Sequence, residues 1–222
     1  MNPASIRYLR RMVAAAMTLL LAAGCGVLPP KSAPPPAFFT LDGPLAGDED
    51  AVKGDRDAAT MLANGPTLIV NQPRAGAGAD SRHIVYVRKA NQLEAFAHSE
   101  WIDTPARMLA PLIVAALEGG GAFRAVVETP SSAAGELRLD TEIVHLRHEF
   151  GALPSRVRLT LRATITDNLS RRVLAQRDFD ETVPSASENA CGEVVAAHRA
   201  TRKLLAALAG FCNETARNWR RL

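Results

Sequence analysis

Two histidines and a glutamate, His145, His148 and Glu149, stand in the stretch HLRHE and are residue types that bind catalytic metals. Zinc proteases use the orders H-E-x-x-H or H-x-x-E-H on a helix, which brings two ligands onto one face. The order here is H-x-x-H-E, and its surroundings predict a strand, in which residues three apart point to opposite faces. The sequence therefore predicts two ordinary sheet histidines and no metal site.

The serines form no recognisable nucleophile motif. The pattern G-x-S-x-G is absent, and the serines considered stand in turn-like contexts: Ser99, Ser131, Ser132, Ser155 and Ser185. The run Gly119–Gly121 lacks the lysine and the Ser/Thr of a phosphate-binding loop, and it is typical of the end of a helix. We therefore expect no catalytic residues, no cofactor and no enzyme activity.

Four residues are candidates for contact with a partner. Trp101 precedes a predicted helix, where it fits either the junction between helix and sheet or an apolar contact with another protein. Arg156, Arg158 and Arg162 alternate with apolar residues along a predicted strand, so they share one face. A row of this kind is usually a solvated face; the functional alternative is a surface for acidic partner groups or lipid headgroups.

The N-terminal residues predict a secretory signal peptide over residues 1–24. Three arginines precede an apolar stretch from Met12 to Ala23. This stretch has 12 residues, whereas a helix needs about 20 to span a bilayer. A basic start, a short apolar middle and small residues before a boundary are typical of a segment that is cleaved after export.

Cys25 suggests attachment of lipid. The small residues Ala22, Ala23 and Gly24 before it resemble a bacterial lipobox, in which the cysteine is acylated and becomes the new N-terminus. The sequence departs from that motif in one respect, because Leu21 lies four places before the cysteine instead of three. Ordinary cleavage, which would leave a soluble periplasmic protein, is the alternative.

Residues 25–37 predict a lipidated cysteine followed by a tether that contains five prolines. Proline-rich chain is extended at about 3.1 Å per residue, so this segment could hold a domain up to roughly 35 Å from a bilayer. Several acyl chains hold a protein firmly, whereas one is marginal. Gly26 after the cysteine, by resemblance to lipoproteins of double-membraned bacteria, favours the outer membrane; the periplasmic face of the inner membrane is the alternative.

The charge gives no argument for a nucleic-acid partner. The chain has 26 basic and 23 acidic residues, and three of the basic residues are the arginines of the predicted signal peptide. The mature protein is therefore formally neutral. Beyond Cys25, we expect Cys191 and Cys212 to be buried, inert thiols. If both lie on one helix they are about 31 Å apart, too far for a disulfide, unless the chain reverses near Gly210.

The remaining pattern predicts one domain over residues 38–222, with a disordered insert over 43–65. Strands are predicted at 38–41, 67–70, 83–88, 93–98, 123–128, 137–150, 156–165 and 173–183. The sequence DTP at 103–105 predicts the start of a helix in which Pro111 is awkward, and a long amphipathic helix begins near Ser187. A change of parity in the strand 137–150 predicts a bulge near Ile143 and Val144. This order predicts an α+β fold: a mixed, largely antiparallel sheet with two main helices packed on it.

Taken together, these stretches resemble the ABC-type transport auxiliary lipoproteins of the PqiC/YmbA-like kind. The resemblance is carried by the lipobox, the proline tether, PAFFTLDGP, the strands HIVYVR and LEAFAHSEW, the helix TPARMLAPLIVAAL and the blocks LRLDTEIVHLRHEF, RVRLTLRATI and RRVLAQRDFDETVP. The acidic insert and the two cysteines depart from it. No single motif is diagnostic, because order and spacing carry the likeness.

The resemblance implies a non-catalytic subunit that accompanies an ABC permease, its ATPase and an MCE-domain protein. Such systems move lipids or other hydrophobic compounds across the periplasm. This chain would anchor or dock the complex at the outer membrane through its acyl chains (palmitate among them), and a homo-oligomer is left open. The alternative is a structural lipoprotein of envelope assembly that is tied to no transporter.

Overall fold

The computed structural model describes residues 13, 35–41, 65–76, 78–151 and 153–219. The predicted signal peptide except Val13, Cys25, the tether before Pro35 and nearly all of the predicted insert lie outside the described residues. Residues 36–222 form one compact unit.

The described residues confirm the predicted α+β class. The strands are β1 (Ala37–Phe39), β2 (Thr67–Val70), β3 (Arg74–Ala75), β4 (His83–Val87), β5 (Leu93–Trp101), β6 (Ala125–Glu128), β7 (Leu137–Glu149), β8 (Arg156–Asp167) and β9 (Val173–Pro184). The helices are α1 (Pro105–Glu118) and α2 (Ala190–Trp219). All nine strands belong to one mixed sheet.

The long strand β7 organises the sheet. One edge of β7 pairs antiparallel with β8 over its whole length, and β8 pairs antiparallel with β9. The other edge pairs parallel with β2, then β3, then β4, in the order in which they follow along the chain. β2 then leads to β6, and β4 leads to β5 and β1. The sheet is thus antiparallel along its longest strands and parallel where short strands meet β7.

The predicted bulge is confirmed. The register between β7 and β8 shifts between Ile143 and His145. Because side chains alternate along a strand, an extra residue reverses the parity of everything after it. Ile143 before the bulge and Leu146 after it are therefore both buried against the helices.

Two strand ends differ from the predicted ones because contacts with other segments determine them. β5 continues to Trp101 because its last three residues pair with β1. β6 begins only at Ala125, since Phe123 is instead buried in the core ahead of the strand. Pro111 lies within α1 on its exposed side, where the carbonyl that it leaves without a donor can reach water.

The cap of α2 lies two residues beyond the predicted Ser187. The side chain of Asn189 accepts a hydrogen bond from the Gly192 N–H, and the Ser187 hydroxyl donates to the same oxygen. Asparagine is among the best N-cap residues, and Ser187 here supports the cap instead of forming it. The helix then packs across β8 and β9, and its apolar face completes the core.

Candidate functional site

The predicted arginine row lies on the open face of the sheet, opposite the helices. Arg158 makes a two-pronged ion pair with Asp180 on the neighbouring strand: its Nε donates to Oδ1 at 2.9 Å and its Nη2 to Oδ2 at 2.6 Å. The Thr160 hydroxyl donates to the same carboxylate. The guanidinium of Arg158 lowers the pKa of Asp180 by hydrogen bonding.

Arg162 repeats this arrangement with Asp178 at 2.8 and 3.0 Å, and it lowers the pKa of that carboxyl. Arg156 is exposed and has no ion pair with any of the described residues. The three arginines therefore share a face as predicted, but carboxylates of the same face already neutralise two of them. Of these three arginines, only Arg156 offers an unpaired guanidinium to an acidic partner.

We expect the Arg158–Asp180 pair to contribute little to folding. Both side chains are more than one third exposed, and exposed pairs are typically worth about 0.2–1 kcal/mol because water and salt screen them. A double-mutant cycle of Arg158→Ala and Asp180→Ala, followed by urea unfolding, should give a coupling energy in that range. A coupling of several kcal/mol would show that the open face is dry, hence covered by something in solution.

Trp101 is 1% exposed and lies in the core where β1, β5 and α1 meet. Its backbone N–H donates to the Arg82 carbonyl, and its own carbonyl accepts from the Arg82 Nε. The structure thus places the indole at the junction of helix and sheet. The alternative prediction, that Trp101 presents an apolar contact to a partner, is wrong for this fold because no partner can reach the ring.

The structure also brings together three polar residues that the sequence analysis did not connect. His148 Nε2 lies 2.9 Å from the Ser155 hydroxyl, and its Nδ1 lies 3.7 Å from the carboxylate of Glu193 in the first turn of α2. The order serine, histidine, acid is that of a catalytic triad. We call these residues the buried triad, because each is at most 2% exposed.

The bulge in β7 positions the buried triad. It places His148 on the same face as Leu146, toward the helices, while Arg147 and Glu149 pair with each other on the open side. The ring of Phe150 stacks on the imidazole with centroids 4.3 Å apart. The histidine is therefore held between an aromatic ring, the Ser155 hydroxyl and α2.

Its electrostatics do not suit catalysis. Burial raises the pKa of Glu193 to about 9, so its carboxyl is neutral at pH 7. Burial also lowers the pKa of His148. A neutral carboxyl 3.7 Å away cannot stabilise an imidazolium as the acid of a triad does, and a substrate cannot reach the Ser155 hydroxyl. Within the buried triad, the His148–Ser155 hydrogen bond joins β7 to the chain before β8, and the neutral carboxyl of Glu193 packs beside it without a hydrogen bond to any of the described residues.

Two signals in the sequence indicate that His148 and Glu193 are buried, although neither predicts that they meet Ser155. His148 lies between Leu146 and Phe150 and so has the parity that follows the predicted bulge. Glu193 stands three residues after Ala190 and four before Ala197, within the apolar stripe of the long helix. An acidic residue within such a stripe predicts a buried carboxyl.

The N-terminal strand of the domain is locked into the fold. β1 pairs in parallel with Ser99–Trp101, and Leu41 behind it is buried in the core. The carbonyl of Thr40 lies 2.7 Å from His198 Nε2 on α2. The point where the predicted tether meets the domain is therefore bonded to both the sheet and a helix.

The two cysteines lie on one helix, α2, and both are free. Cys212 is buried as predicted, and burial raises the pKa of its thiol to about 12. The prediction for Cys191 is wrong: it is exposed, because it stands beside the apolar stripe of the helix and not within it.

This difference predicts selective thiol labelling. A maleimide should modify Cys191 in the folded protein at the rate of an accessible thiol, whereas Cys212 should react only after the protein unfolds. Mass spectrometry of digests taken with and without urea measures both. The Cys191→Ser variant, which should take up no label in its native state, is the control; rapid native labelling of Cys212 would contradict its burial.

None of the helices in the described residues is both long enough and apolar enough to cross a membrane. In the same residues, no group of three or more His, Cys, Asp or Glu side chains is arranged to hold a metal ion.

Two solved structures share this fold. Protein XCC0632 from Xanthomonas campestris is 20% identical, with a TM-score of 0.67 over 74% of this chain and 93% of that one. A second, described only as an uncharacterized protein, is 12% identical with a TM-score of 0.60 over 81% and 99% of the two chains. At these identities the likeness shows the fold alone. No curated protein sequence matches the chain significantly.

The family comparison is decisive. Residues 52–209, more than half of the chain, match the family described as "ABC-type transport auxiliary lipoprotein component". This is a family of transport components and not of enzymes, and the match confirms the resemblance drawn from the order of the strands and helices. The chain belongs to the family of ABC-type transport auxiliary lipoprotein components.

Proposed function

We propose that this protein is the periplasm-facing lipoprotein subunit of an ABC/MCE-type system that carries lipids or other hydrophobic compounds between membranes. Acyl chains on Cys25 attach it to the outer membrane, residues 25–37 set its reach, and the folded domain docks the MCE-domain protein. The ABC permease and ATPase of the same system lie at the other end of the complex.

The observation that supports this proposal best is the attachment of β1. A subunit that couples a membrane anchor to a partner must carry tension from its tether into its docking surface. β1 follows the tether directly and is hydrogen-bonded to β5, while Leu41 and Thr40 fix the next residues to the core and to α2. A pull on residue 37 is therefore resisted by the pairing of β1 with β5 and by the contacts of Thr40 and Leu41.

For the docking surface we propose the open face of the sheet around Arg156. This face carries ordered ion pairs together with the unpaired guanidinium of Arg156, which favours a partner with complementary carboxylates over a bare apolar contact. The periplasmic domain of an MCE protein is the partner that this function requires.

Affinity purification tests the proposal. The full-length protein with a C-terminal tag, solubilised from membranes in mild detergent, should bring down an MCE-domain protein together with an ABC permease and ATPase. Arg156→Glu should weaken that recovery, whereas Lys89→Glu, an exposed change in the turn between β4 and β5, should not.

A second candidate function is a structural role in envelope assembly with no transporter attached. The purification separates the two, because recovery of envelope proteins without any MCE or ABC component would favour the structural role and contradict the transport proposal.

A further inference from the structure

The turn between β8 and β9 carries an unusual exposed apolar group. Leu169 is 94% exposed and Val173, at the start of β9, is 60% exposed. A single exposed leucine is common. Here, however, it stands at the tip of a turn, with a half-buried tryptophan, Trp219, beside the turn at the end of α2.

This turn is held in place by hydrogen bonds. The Asp167 carboxylate accepts from the Leu169 and Ser170 N–H groups at 2.9 and 2.8 Å, and from the Trp219 indole N–H at 2.8 Å. Asn168 is bonded to the carbonyls of Gly135 and Glu136. The exposure of Leu169 is therefore a fixed feature of the turn.

A shallow groove lies next to the turn. It has a volume of about 140 Å³ and is lined by Leu174, Ala175, Thr215, Asn218 and Trp219. Its walls are the start of β9 and the last turns of α2. Together with Leu169 and Val173, it extends the apolar surface at this end of the molecule.

Arginines surround this apolar surface. Arg171 and Arg172 are exposed within the turn, and Arg177 farther along β9 lies with its guanidinium 4.8 Å from the centroid of the Phe211 ring. In the described part of the chain none of the three has a carboxylate ion pair, in contrast to Arg158 and Arg162. Glu214 is the exposed carboxylate beside the groove residue Thr215. The surface thus combines apolar side chains with unpaired positive charge.

The turn and the entry of the chain into β1 lie at opposite ends of the sheet. The pairings of β5 with β4 and of β4 with β7 put β1 level with about residue 145 of β7, whereas the turn lies beside Glu136. β1 runs antiparallel to β7, so the chain before Ala37 leaves the domain at the end away from the turn. Nine residues of strand span roughly 30 Å, and a proline-rich tether of 12 residues reaches roughly 35 Å. Contact of the turn with the bilayer to which Cys25 would be attached therefore requires the tether to run back along the domain at nearly its full length.

We propose that Leu169, Arg171, Arg172, Val173 and Trp219, which we call the turn surface, bind the anionic phospholipid headgroups of that bilayer. An exposed leucine and a half-buried tryptophan with flanking arginines form a combination by which proteins contact membrane interfaces. The contact would orient the domain on the membrane and leave the open face of the sheet to the protein partner. This inference rests on the proposed acylation of Cys25, which supplies the membrane.

The two tryptophans of the chain provide the test. In the Trp101→Phe variant, Trp219 is the single tryptophan and can be excited selectively over the tyrosines. The mature lipidated variant is inserted into vesicles of phosphatidylcholine and phosphatidylglycerol whose acyl chains are either brominated or unmodified, and flotation confirms that it is bound. We expect Trp219 emission to be lower in the brominated vesicles, and the difference to shrink in phosphatidylcholine alone.

A matched pair of further variants locates the contact. Leu169→Ser with Arg171→Gln and Arg172→Gln should abolish the quenching while the chain still floats. Leu153→Ser, an equally exposed change at the opposite end of β8, should leave it unchanged.

Equal emission in both kinds of vesicle from a chain that floats would overturn the inference and leave the anchor intact. A chain that does not float would refute both the anchor and the inference. Absence of quenching together with a crosslink from position 169 to a transport subunit in cells would assign the turn surface to a protein partner and so contradict the membrane proposal.

Discussion

Replacing Glu193 by glutamine should stabilise the protein at neutral and alkaline pH. The carboxyl is fully buried, its two oxygens have no hydrogen-bond partner among the described residues, and burial raises its pKa to about 9. In the unfolded chain a glutamate titrates near 4.3. Glutamine has the same shape and cannot ionise, so the variant does not have to hold a proton in order to fold.

The pH window follows from these two values. Below the unfolded pKa both states bind the proton, and Glu193 does not penalise folding. As the pH rises toward 9, the unfolded chain has released the proton while the folded chain retains it, so stability falls by about 1.4 kcal/mol per pH unit. The gain in free energy of unfolding from Glu193→Gln should be near zero at pH 4.5 and on the order of 3 kcal/mol at pH 7.

His148 shapes the profile of the parent protein within this window. Because burial lowers the pKa of His148, the unfolded chain takes up a proton near pH 6.5 before the folded chain does. Protonation of His148 in the unfolded chain therefore opposes the gain in stability that Glu193 gives as the pH falls. The free energy of unfolding of the parent protein should change less steeply with pH just below pH 6.5 than above it.

Urea unfolding at a series of pH values measures the difference between variant and parent. Glu214→Gln, an exposed change on the same helix, is the control and should shift nothing. If the difference in free energy of unfolding between Glu193→Gln and the parent does not change between pH 4.5 and 7, the folded protein does not hold a proton on Glu193. That result would contradict a neutral buried carboxyl.

Truncating Trp101 to alanine should have the other large effect. The side chain is 1% exposed and packs where β1, β5 and α1 meet. Replacing a buried aromatic residue by alanine typically costs about 3–5 kcal/mol, from lost burial and the cavity that remains. This is a large part of the 5–15 kcal/mol by which domains are usually stable.

Thermal unfolding followed by circular dichroism checks this prediction. Trp101→Phe, which keeps most of the apolar volume, should lose much less stability than Trp101→Ala. If Trp101 instead served a partner, the alanine variant would keep its melting temperature and lose only co-purification of that partner. That result would contradict the position of the indole in the core.

The predictions from the sequence were most accurate where apolar residues recur with the period of a strand or a helix. The alternation of β8, the parity change in β7 and the stripe of α2 gave correct elements and a correct bulge, because burial on one face dictates those patterns. Cys212 was predicted correctly for the same reason, whereas Cys191, which stands beside the stripe, was wrongly predicted to be buried. No period places Trp101, so the sequence left a core position and a partner contact both open, and only packing decides between them.

The features that could not be predicted from the sequence depend on contacts between residues that are distant along the chain. His148, Ser155 and Glu193 meet only because the β7–β8 hairpin and α2 pack together, and no spacing predicts that. Likewise, the arginine row predicted a charged face, but the ion pairs that neutralise two of the arginines depend on strand register. The register of β8 and β9 sets Arg162 directly opposite Asp178, and it sets Arg158 opposite Thr182, so that Arg158 reaches Asp180 diagonally. Strand register is set by the packed sheet, so these ion pairs could not be read from either strand alone.

We propose that a single acylated cysteine holds this domain on a membrane. The mass of the intact protein purified from cell membranes tests it most directly. We predict a chain that begins at Cys25 and carries the added mass of its acyl groups. A chain that begins at an unmodified residue, recovered from the soluble fraction after a salt wash, would contradict the claim.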